Sequence, residues 1–117
     1  MFAHILSPHH PYVFAPDGSP AEPCPESLCA NHIGPPNPTL ADRFLGQLQF
    51  VNGRVLEALD HITDVDPEGT VIVFSDHGLR RDRADMDEWF RTLFAARGHS
   101  FPDDVTPREI FPALLGL

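Results

Sequence analysis

Apolar residues recur at three- and four-residue steps along one stretch of the chain: Leu40, Phe44, Leu48, Val51, Val55, Leu59 and Ile62. That spacing lays a single apolar stripe along a helix, and it predicts a helix from Thr39 to about Thr63. Thr39 is suited to cap the start, and Asp42 suits both a capping-box role and the helix dipole. Gln47, Gln49, Asn52, Arg54 and Glu57 fall on other faces and read as solvated helix surface. The pattern then changes. After Asp64-Val65-Asp66-Pro67-Glu68-Gly69, the run Thr70-Val71-Ile72-Val73-Phe74 is apolar and β-branched without alternation. A run this short and apolar reads as a strand buried on both faces, as in a parallel sheet with helices on either side. Phe2-Ala3-His4-Ile5-Leu6 is a second run of the same kind. Strand, long helix, strand makes a βαβ-type unit, right-handed if the strands are parallel. The expected fold class is α/β, with a mostly parallel sheet and flanking helices.

The remaining segments are shorter. Val13 to Pro38 reads as a loop, with a turn at Pro16-Asp17-Gly18 and the run Gly34-Pro35-Pro36-Asn37-Pro38. Cys24 and Cys29 lie inside it with four residues between them. They read equally as a disulfide clipping the loop or as two reduced cysteines. Leu79 to Asp87 is charged, and reads either as a solvated loop or as an arginine patch of Arg80, Arg81 and Arg83 able to grip an oxyanion. Trp89, Phe90, Leu93 and Phe94 fit a helical stripe, while Arg91 to Ala96 fits a short strand. Thr106-Pro107-Arg108-Glu109 is a helix start, with Thr as cap, Pro first and Glu three residues on. Pro112 should kink that helix or cut it short.

The chemistry gathers where the apolar runs stop. Thr70–Phe74 ends at Ser75-Asp76-His77-Gly78, and the first run ends at Ser7-Pro8-His9-His10-Pro11. In parallel sheets ligands bind beyond the carboxyl ends of the strands. Within a strand Asp76 and His77 would point to opposite faces, but at a turn both can reach one cation. Gly78 permits the turn. The plainer reading is a turn or helix start with Asp76 as cap and His77 merely polar.

With the two stretches taken together, the chain resembles the sulfatase / alkaline-phosphatase superfamily, including its lipoteichoic-acid-synthase-like and phosphoethanolamine-transferase-like members. The matching motifs are Ser75-Asp76-His77-Gly78 and, upstream, His9-His10-Pro11. The resemblance implies a partial alkaline-phosphatase-like sandwich, with residues 1–117 as the C-terminal part of a catalytic domain. It implies that Asp76 and His77 are ligands of a divalent metal (zinc, manganese, magnesium or calcium). His9 matches the family's substrate-contacting histidine, and His10 falls at the variable position beside it. The substrate class is a sulfate, phosphate or phosphonate ester. The resemblance also favours a strand around Thr92 to Ala96.

The sequence departs from the family as well. Nothing matches the nucleophile motif C/S-x-P-x-R: Cys24-Pro25 lacks the spacing, and Thr106-Pro107-Arg108 is accounted for as a helix cap. No nucleophile is therefore assigned in this chain, and the family's early carboxylate ligand has no counterpart. An N-terminal half of the same domain is the expected complement.

Composition narrows the partners. Lys+Arg 8 against Asp+Glu 17, with every basic residue an Arg, lacks the basic stripe of a nucleic-acid or anionic-membrane surface. No run approaches the ~20 apolar residues that cross a bilayer, and no signal peptide precedes the first run. Family relatives are often membrane-anchored and extracytoplasmic. Met1-Phe2-Ala3-His4 starts directly inside an expected strand, as a truncated domain would. Two functional readings follow: a metal-binding piece of a sulfatase-type hydrolase or transferase, or a non-catalytic remnant that keeps the α/β scaffold for interaction.

Overall fold

The computed structural model describes residues 2–25, 38–78, 87 and 90–117. Its elements are α1 (Pro38–Val65), β1 (Val71–Phe74), β2 (Phe94–Arg97) and α2 (Pro107–Leu115). The chain divides into two compact units, with the division falling in the last turn of α1, between His61 and Ile62.

In the first unit, α1 carries the N-terminal segment. The helix takes Pro38 into its first turn, where a missing N–H costs nothing, so Thr39 lies inside that turn rather than capping it. Leu40 is its buried apolar anchor. Tyr12 meets Phe44 edge-on with ring centres 5.8 Å apart, and Phe14 lies 4.9 Å from Phe50. After Phe14 comes a tight turn closed by Gly18 N–H to Ala15 O (2.9 Å), Ala15 N–H to Ser19 O (2.9 Å) and Ala21 N–H to Val13 O (2.8 Å). The Asp17 carboxylate accepts from the Ser19 hydroxyl at 2.6 Å and the Ser19 N–H at 2.9 Å. Those two bonds hold its pKa below the usual carboxylate value. Gly18 sits at φ +83 against the ring of Phe50, so a side chain there would be strained and would strike the ring. The expected Pro16-Asp17-Gly18 turn is present. Cys24 is disulfide-bonded; the other cysteine, Cys29, lies outside the described residues, as do His32 and the Gly34–Asn37 run.

The second unit holds the sheet. β1 and β2 pair antiparallel, Val71 opposite Arg97 through Phe74 opposite Phe94. Arg97 then ties the pair to the end of α1. Its guanidinium donates to Thr63 Oγ1 at 2.6 Å, Asp66 O at 3.0 Å and Gly69 O at 3.2 Å. A helix end leaves carbonyls without partners and carries partial negative charge, and the last turn of α1 has no basic residue of its own. Arg97 supplies that cation from the neighbouring strand. In α2 the Glu109 carboxylate reaches back to the Thr106 N–H (2.9 Å) and hydroxyl (2.7 Å). Ile110 is the helix's buried residue. Gly116 at φ +69 closes the helix, with its N–H on Ala113 O and the Leu117 N–H on Pro112 O.

The structure corrects the fold class. The described sheet is two-stranded and antiparallel, not a mostly parallel sandwich. Phe2–Leu6 is not a strand: Phe2, Ile5 and Leu6 are exposed, and the backbone turns back with His9 N–H on Leu6 O at 2.9 Å. The peptide bonds before Pro8 and Pro11 are cis. Proline has no N–H to give a ladder, and no strand stands before α1 among the described residues, so the βαβ unit is not formed. An apolar run signals burial without fixing strand direction. β1 is half-buried along its length, and its partner comes from downstream. Pro112 is absorbed within α2, which runs on to Leu115.

Candidate metal-binding site

Asp76 and His77 lie one residue past the end of β1, at a bend of residues 76–77. His77 Nδ1 lies 2.7 Å from the Gly78 carbonyl. A carbonyl only accepts, so Nδ1 carries the proton and the lone pair of the neutral ring sits on Nε2. That Nε2 lies 3.8 Å from Asp76 Oδ2, beyond hydrogen-bond reach. The carboxylate is 85% exposed and the imidazole 32%, so the ring is held while the acid can swing.

Imidazole nitrogen and carboxylate oxygen are donor types that divalent cations take. Ligands of a tetrahedral zinc at about 2.0–2.2 Å stand roughly 3.3–3.6 Å apart, against the 3.8 Å observed between His77 Nε2 and Asp76 Oδ2. A backbone carbonyl on the far nitrogen is also how ligating histidines are commonly oriented. Two donors do not complete a coordination sphere. Among the described residues no group of three or more His, Cys, Asp or Glu side chains is gathered for one.

The residue before the bend is held by two hydrogen bonds. Ser75 N–H donates to Leu93 O at 3.0 Å, and the Leu93 N–H donates to Ser75 Oγ at 2.8 Å. The residue just before Asp76 is thus tied by both bonds to Leu93, the residue before β2.

His9 and His10 belong to the first unit. His9 is exposed, and its Nδ1 donates to the His10 carbonyl at 2.6 Å. His10 packs edge-on against Tyr12 with ring centres 5.4 Å apart. What holds the segment in place is Gln47. It is fully buried; its Oε1 accepts from Val13 N–H (2.7 Å) and Phe14 N–H (3.2 Å), and its Nε2 donates to His9 O (3.1 Å).

Gln47 corrects the expectation of a solvated residue. The signal was in the spacing: Leu40, Phe44, Gln47 and Val51 advance by four, three and four residues, which places Gln47 within the apolar stripe. Ser75 stands next to Asp76 in the sequence, but its pairing with Leu93 has no sequence signature. The arginines at 80, 81 and 83 lie outside the described residues. No described helix is long and apolar enough to cross a membrane. Comparison of the chain with protein-family models, with curated proteins and with solved structures finds no match.

Proposed function

We propose that this chain supplies part of a divalent-metal site used in processing sulfate, phosphate or phosphonate esters. Asp76 and His77 act as two of the ligands. The observation that carries the reading is the 2.7 Å approach of His77 Nδ1 to the Gly78 carbonyl, which orients the ring with Nε2 on the side of the Asp76 carboxylate, 3.8 Å away. The motif Ser75-Asp76-His77-Gly78 following an apolar strand supports it, as does the upstream His9-His10-Pro11.

A divalent cation held there would act as a Lewis acid on an ester oxygen and lower the pKa of a nucleophile. The chain's own residues have narrower tasks. His77 holds a fixed ring orientation, and Asp76 contributes the negative charge that offsets part of the cation's. Further ligands and the nucleophile come from outside this set.

The test is a titration of the whole chain with zinc or manganese, followed through the His77 ring nitrogens by NMR. Selective perturbation of Nε2, abolished by Asp76→Ala, is the expected result. Binding that leaves the His77 ring unmoved, or survives Asp76→Ala, overturns the reading.

A further inference from the structure

We infer that Ser75 is a positioning residue for the Asp76–His77 pair: its hydroxyl takes the last rung of the β-ladder and thereby brings both donors within reach of one cation. The inference rests on the reading of that pair as metal ligands.

The register fixes where the ladder should run. Phe74 stands opposite Phe94, so the next pair is Ser75 and Leu93. Ser75 N–H donates to Leu93 O at 3.0 Å. In a regular antiparallel pair bonded this way the two residues exchange both bonds, and the Leu93 N–H would go to the Ser75 carbonyl. It goes to Ser75 Oγ instead, at 2.8 Å.

This substitution has a geometric consequence. With the rung closed by a side chain, the Ser75 carbonyl is released and the backbone turns off the strand, at the bend of residues 76–77. Were the strand instead to continue through Asp76 and His77, their side chains would alternate to opposite faces. The observed 3.8 Å between Asp76 Oδ2 and His77 Nε2 belongs to the turned chain. The hydroxyl is therefore spent as an acceptor that shapes the site, which is a different task from attacking an ester.

The experiment compares Ser75→Ala and Ser75→Thr in the whole chain, with zinc and manganese alone as probes and metal-free NMR as a second readout. Ser75→Ala should weaken metal binding roughly 10- to 100-fold, the range for losing a group that orients a ligand. It should also shift the His77 ring resonances and the Leu93 amide in the metal-free protein. Ser75→Thr, which keeps the hydroxyl, should restore both. Wild-type affinity and unshifted His77 signals in Ser75→Ala overturn the inference, as does a Ser75→Thr protein no better than Ser75→Ala. If the wild type binds neither metal, the proposed function fails, and the metal-free His77 and Leu93 signals alone decide the positioning role. If Ser75→Ala does not fold, Ser75→Thr decides: wild-type signals support the inference and altered ones overturn it.

Discussion

The side chain of Gln47 donates to the backbone carbonyl of His9 across 3.1 Å, joining the middle of α1 to the histidine segment. The same carboxamide accepts from Val13 and Phe14, so one fully buried polar residue satisfies three backbone groups. Such a residue is costly to truncate, because each group left behind loses its partner without regaining water.

Gln47→Ala should therefore destabilise the first unit by about 2–4 kcal/mol, the sum of a few unsatisfied groups that are only partly buried. Gln47→Glu keeps the acceptor for Val13 and Phe14 but turns an oxygen toward the His9 carbonyl. It should be less stable at neutral pH than in mild acid, where protonation restores a donor. Urea unfolding of both variants, followed by the fluorescence of Tyr12 or the exchange of the Val13 amide, checks the pair. A Gln47→Ala midpoint equal to wild type would contradict it.

How far the sequence reached depends on the kind of interaction. The long helix was legible because Leu40 to Ile62 repeats a period that only a helix satisfies, and α1 spans Pro38–Val65 around it. The Thr106–Glu109 start of α2 was legible because both capping partners are local. Strand direction was not, because Val71–Phe74 would be equally apolar beside a parallel or an antiparallel neighbour. Its partner, Phe94–Arg97, has no alternation to announce it beyond the expected short strand near Thr92–Ala96. The Ser75–Leu93 rung depends on that pairing and stayed hidden for the same reason. Asp76 and His77 were named from their order after an apolar run. The hydrogen bond that fixes the His77 ring was visible only in three dimensions.

Acid should weaken α2 through Glu109. The Thr106 hydroxyl, then the Thr106 N–H, holds the Glu109 pKa below its ordinary value of 4.5. A depressed folded pKa means stability that is fully present above the unfolded value and lost as pH falls through the folded one. Unfolding midpoints measured from neutral pH down to strong acid should show a loss below pH 4.5. Glu109→Gln, which has no such proton to take up, should lose less over that range. Identical acid profiles would rule out the linkage.

The buried side of α2 rests on Ile110, 2% exposed. Ile110→Ala removes three carbons where few other apolar groups are buried, and should cost about 2–5 kcal/mol. Ile110→Val should cost about 0.5–1.5 kcal/mol. Phe111→Ala, on the exposed neighbouring stripe, should change stability much less. Calorimetric or denaturant midpoints that rank Phe111→Ala with Ile110→Ala would place the core on the other face.

The chain by itself is expected not to turn over esters. Metal-assisted cleavage needs a nucleophile held and aimed within contact distance of the reacting atom, and such positioning supplies a large part of the barrier reduction. The hydroxyl beside the ligand pair, Ser75 Oγ, already accepts the Leu93 N–H. Cys24 is in a disulfide and offers no thiol. Thr106, which precedes Pro107-Arg108, donates its hydroxyl to Glu109. On the proposed reading, a cation held by Asp76 and His77 would find none of these three groups free and aimed for attack. Purified chain given zinc, manganese, magnesium or calcium should show no hydrolysis of aryl sulfate, aryl phosphate diester or aryl phosphonate above the metal-only rate. Metal-dependent turnover that disappears in Asp76→Ala would show a complete active site here, with Ser75 the first hydroxyl to test as its nucleophile.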